Sequence, residues 1–298
     1  MRLKFLVLAA ASGLAFTSPA MAKAGDPVAV SDNATFDPML AVRLRYESVS
    51  QDNPVQDADA VTARIRFGGE FKTGGLALLA EGEGTLALVD DYNDTLPGNG
   101  VEPYSVVADP ENIELNRLQL AYKKDGSGLT VGRQRIILDN ARFVGNVGWR
   151  QNEQTFDAIR GEAKVGPLKL DATYAISQRT IFGTDSPNEY FDGDLVLLNA
   201  GADLKAVKLS GFAYLIDYDT RLAFSSKTFG ASASGTLPVG PGISINAAAS
   251  FAVQSDMGGP GADITPEAAA EGLAERIEEL TPETTGCFLT WDGRAHPL

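Results

Sequence analysis

The side chains best suited to chemistry in this sequence are arginines gathered in residues 132–158, GRQRIILDNARFVGNVGWRQNEQTFDA. They are Arg133, Arg135, Arg142 and Arg150, with Arg160 just beyond. A guanidinium keeps its charge at any working pH and offers carboxylates a planar fork of donors, so a cluster of them suits the holding or passing of anions. Two arrangements satisfy the stretch. It is either a solvated surface loop whose arginines pair with Asp139, Glu153 and Asp157, or a loop folded inward to line an anion path.

Carboxylates are the second set of candidates. Glu81 and Glu83, two apart, share one face of a strand, as an acid/base pair for glycoside cleavage would. That face is charged on neighbouring segments too, with Arg64 and Arg66 beside it, so a polar lumen accounts for the pair without catalysis. Asp90-Asp-Tyr-Asn-Asp94 offers oxygen ligands without the spacing and glycine of a calcium loop. It reads as a solvated loop, or one bridged by divalent ions to lipopolysaccharide, and no metal site is expected. The single Cys287 and single His296 lie close to the C-terminus. The main body therefore lacks Cys or His nucleophiles, His-ligated metals and a His general base, and neither an enzyme nor a cofactor is expected. Trp149 can stack a sugar ring, sit at a membrane interface or anchor the loop by packing, of which packing is the simplest.

The elements that must position these groups are strands. Residues 1–22 form a signal peptide: Arg2 and Lys4, an apolar run from Phe5 to Phe16, then Ala20-Met21-Ala22. The mature chain is thus exported, and its net charge of −14 argues against nucleic acid as a partner. Beyond it the residues alternate. Leu40, Val42, Leu44 and Tyr46 oppose Arg43, Arg45 and Glu47, and Val61, Ala63, Ile65 and Phe67 oppose Thr62, Arg64 and Arg66. Tyr46, Tyr122, Tyr174 and Tyr214 fit an interfacial girdle, and Phe212, Tyr214, Ile216 and Tyr218 a membrane-facing row. Such segments run roughly ten residues, the length of a tilted membrane strand. There are about eleven of them, joined alternately by short turns and long loops. This describes an all-β, antiparallel up-and-down transmembrane β-barrel over residues 23–256.

One register is awkward. Leu129 and Val131 share parity with Arg133 and Arg135, and a charge facing lipid costs about 2–4 kcal/mol at the midplane. Either the arginines sit at the membrane rim or a bulge at Gly132 turns them inward; the bulge is the favoured expectation.

With these residues in view, the chain resembles the alginate-export family of outer-membrane porins. The resemblance rests on Leu118-Gln-Leu-Ala-Tyr122, Gly132-Arg-Gln134, Arg142-Phe-Val-Gly-Asn146, Trp149-Arg-Gln-Asn152 and Thr155-Phe-Asp-Ala158. It covers roughly residues 36–256. It implies a large antiparallel barrel, with Arg133, Arg142 and Arg150 as lumen or constriction residues. It does not imply transport of alginate itself.

After Asp256 the alternation stops. Residues 257–298 read as an acidic tail unrelated to the barrel, with a short helix beginning at Thr265-Pro266, or as a helical plug or periplasmic extension. The barrel is accordingly expected to be incomplete. Function narrows to an outer-membrane channel passing anionic saccharides or small organic acids, in contact with membrane lipid and lipopolysaccharide. A general diffusion porin and a soluble exported carbohydrate-binding module are the alternatives. The expected pore-lining set is Arg64, Arg66, Glu81, Glu83, Arg133, Arg135, Arg142, Arg150 and Arg160.

Overall fold

Period-two alternation gives each segment two chemically different faces, and a tight turn returns the chain antiparallel beside itself. The computed structural model describes residues 27–51, 56–204, 207–240 and 243–255. The signal peptide and the tail, with its expected helix, lie outside the described residues. The strands are β1 (Val28–Ser31), β2 (Ala34–Val49), β3 (Ala58–Thr73), β4 (Leu76–Asp91), β5 (Asn112–Lys124) and β6 (Ser127–Gln134). They continue as β7 (Thr155–Val165), β8 (Leu168–Arg179), β9 (Tyr190–Leu204), β10 (Val207–Tyr218), β11 (Ser226–Gly240) and β12 (Ile243–Ser255). All belong to one 12-stranded antiparallel sheet whose spatial order is its sequence order.

The long alternating segments are β2 to β12. The four-residue β1, which pairs with β2, is too short for alternation to reveal and adds a strand to the expected eleven. β1 and β12 are the two ends of the strand order and do not pair with each other, so the sheet is not closed. Strands β2, β3 and β4 each run 16 residues. About 9–11 suffice to cross a bilayer at a tilt, so their ends project beyond the apolar band. Two-residue turns such as 74–75, 125–126 and 166–167 all fall at one end, while residues 92–111, 135–154 and 180–189 connect strands at the other.

The outer face is apolar and open: Val42 is 62% and Leu44 69% exposed, whereas the Arg45 between Leu44 and Tyr46 turns inward to Asp109. Tyr46, Tyr122 and Tyr174 are exposed, as a girdle requires. Tyr214 is not in that girdle. It and Tyr218 are buried, and Phe212 and Ile216 pack against the same interior cluster of Ile136, Leu138, Val144, Phe156, Leu195 and Leu197. The row on β10 therefore faces inward, because the inward loop supplies an apolar surface for it to cover.

Gly132 also departs from expectation. Its φ is +113°, yet the pairings Gln119↔Gly132 and Gly132↔Ala158 run through it without a register shift. The bulge lies across the ladder instead, between Asp157 and Ala158 against β8. Glycine is required at 132 because an added Cβ would stand 2.3 Å from the Leu118 carbonyl oxygen. Gly132→Ala is expected to cost about 1–3 kcal/mol, measured as a lower temperature for loss of the compact, heat-modifiable gel band.

Candidate functional site

Residues 135–154 leave β6, cross the inner face of the sheet and return to β7. The first part of the loop is fixed to β9 and β10. Asp139 accepts hydrogen bonds from Asn199 Nδ2 at 2.9 Å, the Tyr214 hydroxyl at 2.5 Å and Ser210 Oγ at 3.1 Å. Phe143 packs on Phe212 and Tyr214, with ring centroids 5.8 and 6.5 Å away. The last part is fixed to the opposite arm of the sheet, on β2 to β5. Gln151 Nε2 donates to the Thr62 carbonyl and hydroxyl at 2.9 and 2.8 Å, and its backbone N–H donates to Asp109 at 2.8 Å. Asn152 accepts from Thr85 Oγ1 at 2.7 Å and donates to the carbonyls of Pro110 and Ile181 at 3.1 and 3.2 Å. The loop is thus folded inward and is not a solvated surface loop. Asp139, Ala141 and Val147 hold positive φ values of 50°, 62° and 50°. Non-glycine residues take that conformation only where their surroundings enforce it, at a cost of order 1–3 kcal/mol each.

Glu153 is the hub. It is 1% exposed and receives Arg135 Nε at 2.7 Å, Asn116 Nδ2 at 2.7 Å and Asn146 Nδ2 at 2.9 Å, with Arg66 Nη1 at 3.3 Å. Its own N–H donates to Glu83 at 3.2 Å, and Glu83 is in turn paired with Arg66. Burial alone would raise the Glu153 carboxyl. The hydrogen bond from Arg135 and the charges of Arg66 and Arg135 outweigh it and hold the group at about 2.

A bulge in β5 makes this convergence possible. Glu81 pairs with Arg117 and Gly82 with Leu115, which leaves Asn116 unpaired in the ladder. Asn116 and Arg117 consequently both reach Glu81, at 2.8 Å each.

Of the expected residues, Arg64, Arg66, Glu81, Glu83 and Arg135 come together here. Arg150 belongs to a second cluster, 3.2 Å from Glu47 and 3.9 Å from Asp109, which Arg45 also engages. Trp149 is 58% exposed, and the guanidinium carbons of Arg150 and Arg45 lie over its ring at 4.1 and 4.5 Å from the centroid. Arg133 and Arg160 stand apart from both clusters. Arg133 forms a fork with Asp157 at 2.8 and 2.9 Å, and Arg160 binds Asp171 at 2.8 and 2.5 Å.

Four arginines remain without a carboxylate within 4.0 Å among the described residues: Arg43, Arg64, Arg142 and Arg221, the last bound to Asn188 instead. Arg43 and Arg64 face each other across the β2–β3 ladder and donate to loop carbonyls, Arg43 to Gly148 at 2.9 Å and Arg64 to Gln151 at 3.3 Å. Arg64 Nε, on a residue only 7% exposed, has no hydrogen-bond partner among the described residues. Arg142 is exposed on the loop, 5.9 Å from the Phe143 ring. Sequence reading left Arg43, Asp109, Asn116, Gln151 and Asn152 out of the candidate set. The one available signal was the uncharged Gln151-Asn152 pair beside the arginines. In the 92–111 loop, the Asp94 and Asn93 side chains accept from the N–H groups of Leu96 and Thr95, both at 2.9 Å, as turn caps.

The family model described as alginate export matches residues 32–197. No curated protein matches the chain. Among solved structures, OccAB4 of Acinetobacter baumannii superposes with a TM-score of 0.57 at 11% identity, over 78% of this chain and 61% of that one. OccAB3 of the same organism gives 0.53 at 13%, over 75% and 58%. OccK9 (OpdG) of Pseudomonas aeruginosa gives 0.54 at 12%, over 75% and 58%. This chain therefore spans less than two thirds of the length of these proteins.

Proposed function

The chain belongs to the alginate export family, and from that premise we propose that its sheet is the wall of a channel for anionic saccharides or small organic acids. Family and fold place it in the outer membrane; the general habit of such barrels supports two-residue turns toward the periplasm and long loops outside. The exposed apolar face meets lipid, and the acidic outer loops lie at the level of lipopolysaccharide.

The observation that carries the reading is the set of guanidinium groups left over after the loop has been anchored. Arg43, Arg64 and Arg142 stand around an inward loop with no carboxylate of their own, in a chain whose net charge is −14. A narrow passage with low-dielectric walls strengthens the attraction of such groups for anions. Glu81 and Glu83 are engaged by Arg117 and Arg66, which accounts for them as anchors of the loop and leaves no free acid/base pair.

Arg142 is the group to test, since its side chain has no ion pair among the described residues and meets only the neighbouring Phe143 ring there. In planar bilayers under a salt gradient, the wild-type reversal potential should report anion preference. Arg142→Gln should reduce the anion-to-cation permeability ratio by about 2-fold or more while leaving conductance in place. An open channel whose reversal potential is the same with and without Arg142 would instead be a general diffusion pore.

A further inference from the structure

We propose that the passage is electrically polar along its axis: the short-turn rim, where lysines balance the acids, admits anionic solutes, and the acidic long-loop mouth repels them, so that anions load from the short-turn side. The proposal rests on the reading of the chain as an anion channel and adds a second set of residues to it.

Strand parity places these lysines. Arg64 and Arg66 point inward from β3, and Lys72 shares their parity near the turn end of the same strand. Lys123 follows buried Ala121 by two residues, and Lys164 follows inward Arg160 by four. Lys169 precedes Asp171, the partner of Arg160, and Lys208 precedes Ser210, the partner of Asp139. Cross-strand contacts agree with that placement: Lys123 lies 3.4 Å from Glu162, and Lys169 lies 2.5 Å from Asp203. Lys164 and Lys169 are direct neighbours in the β7–β8 ladder. Both border a cavity of about 370 Å³ that is also lined by loop residues Ile137, Leu138 and Asp139. The lysine rim therefore opens onto the loop itself.

The rim carries acids as well. Glu70, Glu162 and Asp203 offset Lys72, Lys123 and Lys169, and Asp37 stands across from Glu70. Lys164 and Lys208 have no carboxylate within 4.0 Å among the described residues. Among the described residues that end is close to electrical balance.

The other end is not. Residues 92–111 and 180–189 contain Asp94, Glu102, Asp109, Glu111, Asp185 and Glu189 and no Lys or Arg. The adjoining strand ends add Asp90, Asp91 and Asp192. Beyond the inward loop's own arginines, the cations there among the described residues are Arg45, which with Arg150 offsets Asp109 and Glu47, Arg179, tied to Glu189, Arg221, tied to Asn188, and Lys227. An anion between the mouths thus meets arginines in the middle, no net repulsion on one side and a negative field on the other. Such an asymmetric profile makes current depend on the sign of the voltage.

The test uses the full chain in planar bilayers in 0.1 M salt. Ser127→Cys in a Cys287→Ser background, with a membrane-impermeant thiol reagent, identifies the short-turn side. Anion current driven from that side should exceed the reverse current by about 2-fold at 0.1 M and approach equality at 1 M, where the Debye length shrinks to about 3 Å. Lys164→Gln with Lys208→Gln should lower the ratio without changing the sign of the reversal potential. A symmetric current from a channel that still prefers anions overturns the polarity and leaves the channel reading standing. A channel without anion preference overturns both. A second measurement needs no conductance. Fluorophores on Ser127→Cys and Thr220→Cys of the detergent-extracted protein are quenched by iodide and by thallium. The iodide-to-thallium ratio should be about 2-fold higher at the rim than at the loop mouth, and equal ratios at the two positions overturn the proposal.

Discussion

Exchanging Glu153 for alanine is expected to release residues 135–154 from the wall, raising single-channel conductance and lowering the unfolding temperature. Glu153 gathers Arg135, Arg66, Asn116 and Asn146 on one carboxylate. Its removal takes from Arg135 its nearest carboxylate, leaving Glu81 at 3.8 Å, and leaves Arg66 to Glu83 alone; breaking one side of a buried pair costs about 3–5 kcal/mol. Glu153→Gln retains the volume and part of the hydrogen bonding, so its loss should be nearer 1–3 kcal/mol. Conductance and unfolding temperature both unchanged in the alanine variant would mean that Gln151 and Asn152 hold the loop by themselves.

Much of the wall was legible in the sequence because a membrane sheet repeats one rule. Leu40 to Glu47 alternates cleanly, and its outward and inward sets are those expected. The rule fails where both faces are apolar. On β10, Phe212, Tyr214 and Ile216 compete with Leu209, Ala213 and Leu215 for the lipid face. Alternation says that two faces exist and not which one lies inside. The deciding contacts, from Asp139 and Phe143, come from a loop about seventy residues earlier in the chain, and no local pattern announces them.

The candidate site was legible as chemistry and not as pairing. Arg135, Arg142 and Arg150 were conspicuous, and nearby Asp139, Glu153 and Asp157 were plausible partners for a loop closed on itself. Of the arginines in that stretch only Arg133 and Arg135 bind these acids; Arg133 takes Asp157 and Arg135 takes Glu153. Asp139 is taken by Tyr214, Asn199 and Ser210, and Arg150 by Glu47, more than a hundred residues away. Long-range pairing of this kind turns a surface loop into an inward one. In Arg43 and Arg64 it also leaves cations whose partners are backbone carbonyls, which residue types alone do not reveal.

Lowering the pH from neutrality toward 2 is expected to weaken the loop's anchorage in the same way as Glu153→Ala, and to raise conductance. The groups facing Glu153 are Arg66 from β3, Glu83 from β4, Asn116 from β5, and Arg135 and Asn146 from the loop. Anchored, its carboxyl lies at about 2 instead of the usual 4.5; burial opposes that shift, and the hydrogen bond from Arg135 and the charges of Arg66 and Arg135 drive it. The anchored state therefore binds a proton less readily than a released loop does. Its stabilisation is complete above pH 4.5, declines between 4.5 and 2, and is gone below that. At 1.36 kcal/mol per unit this amounts to about 3 kcal/mol. Conductance followed from pH 7 to 2 should be steady down to about 4.5 and then rise. Glu153→Gln, which has no proton to take up, should lack that step. Glu83→Gln and Glu81→Gln should each keep it, and so separate Glu153 from the carboxylate that its N–H meets and from the one that shares Asn116 and Arg135. A wild-type conductance flat across the whole range would show that the Glu153 carboxylate does not set the position of the loop.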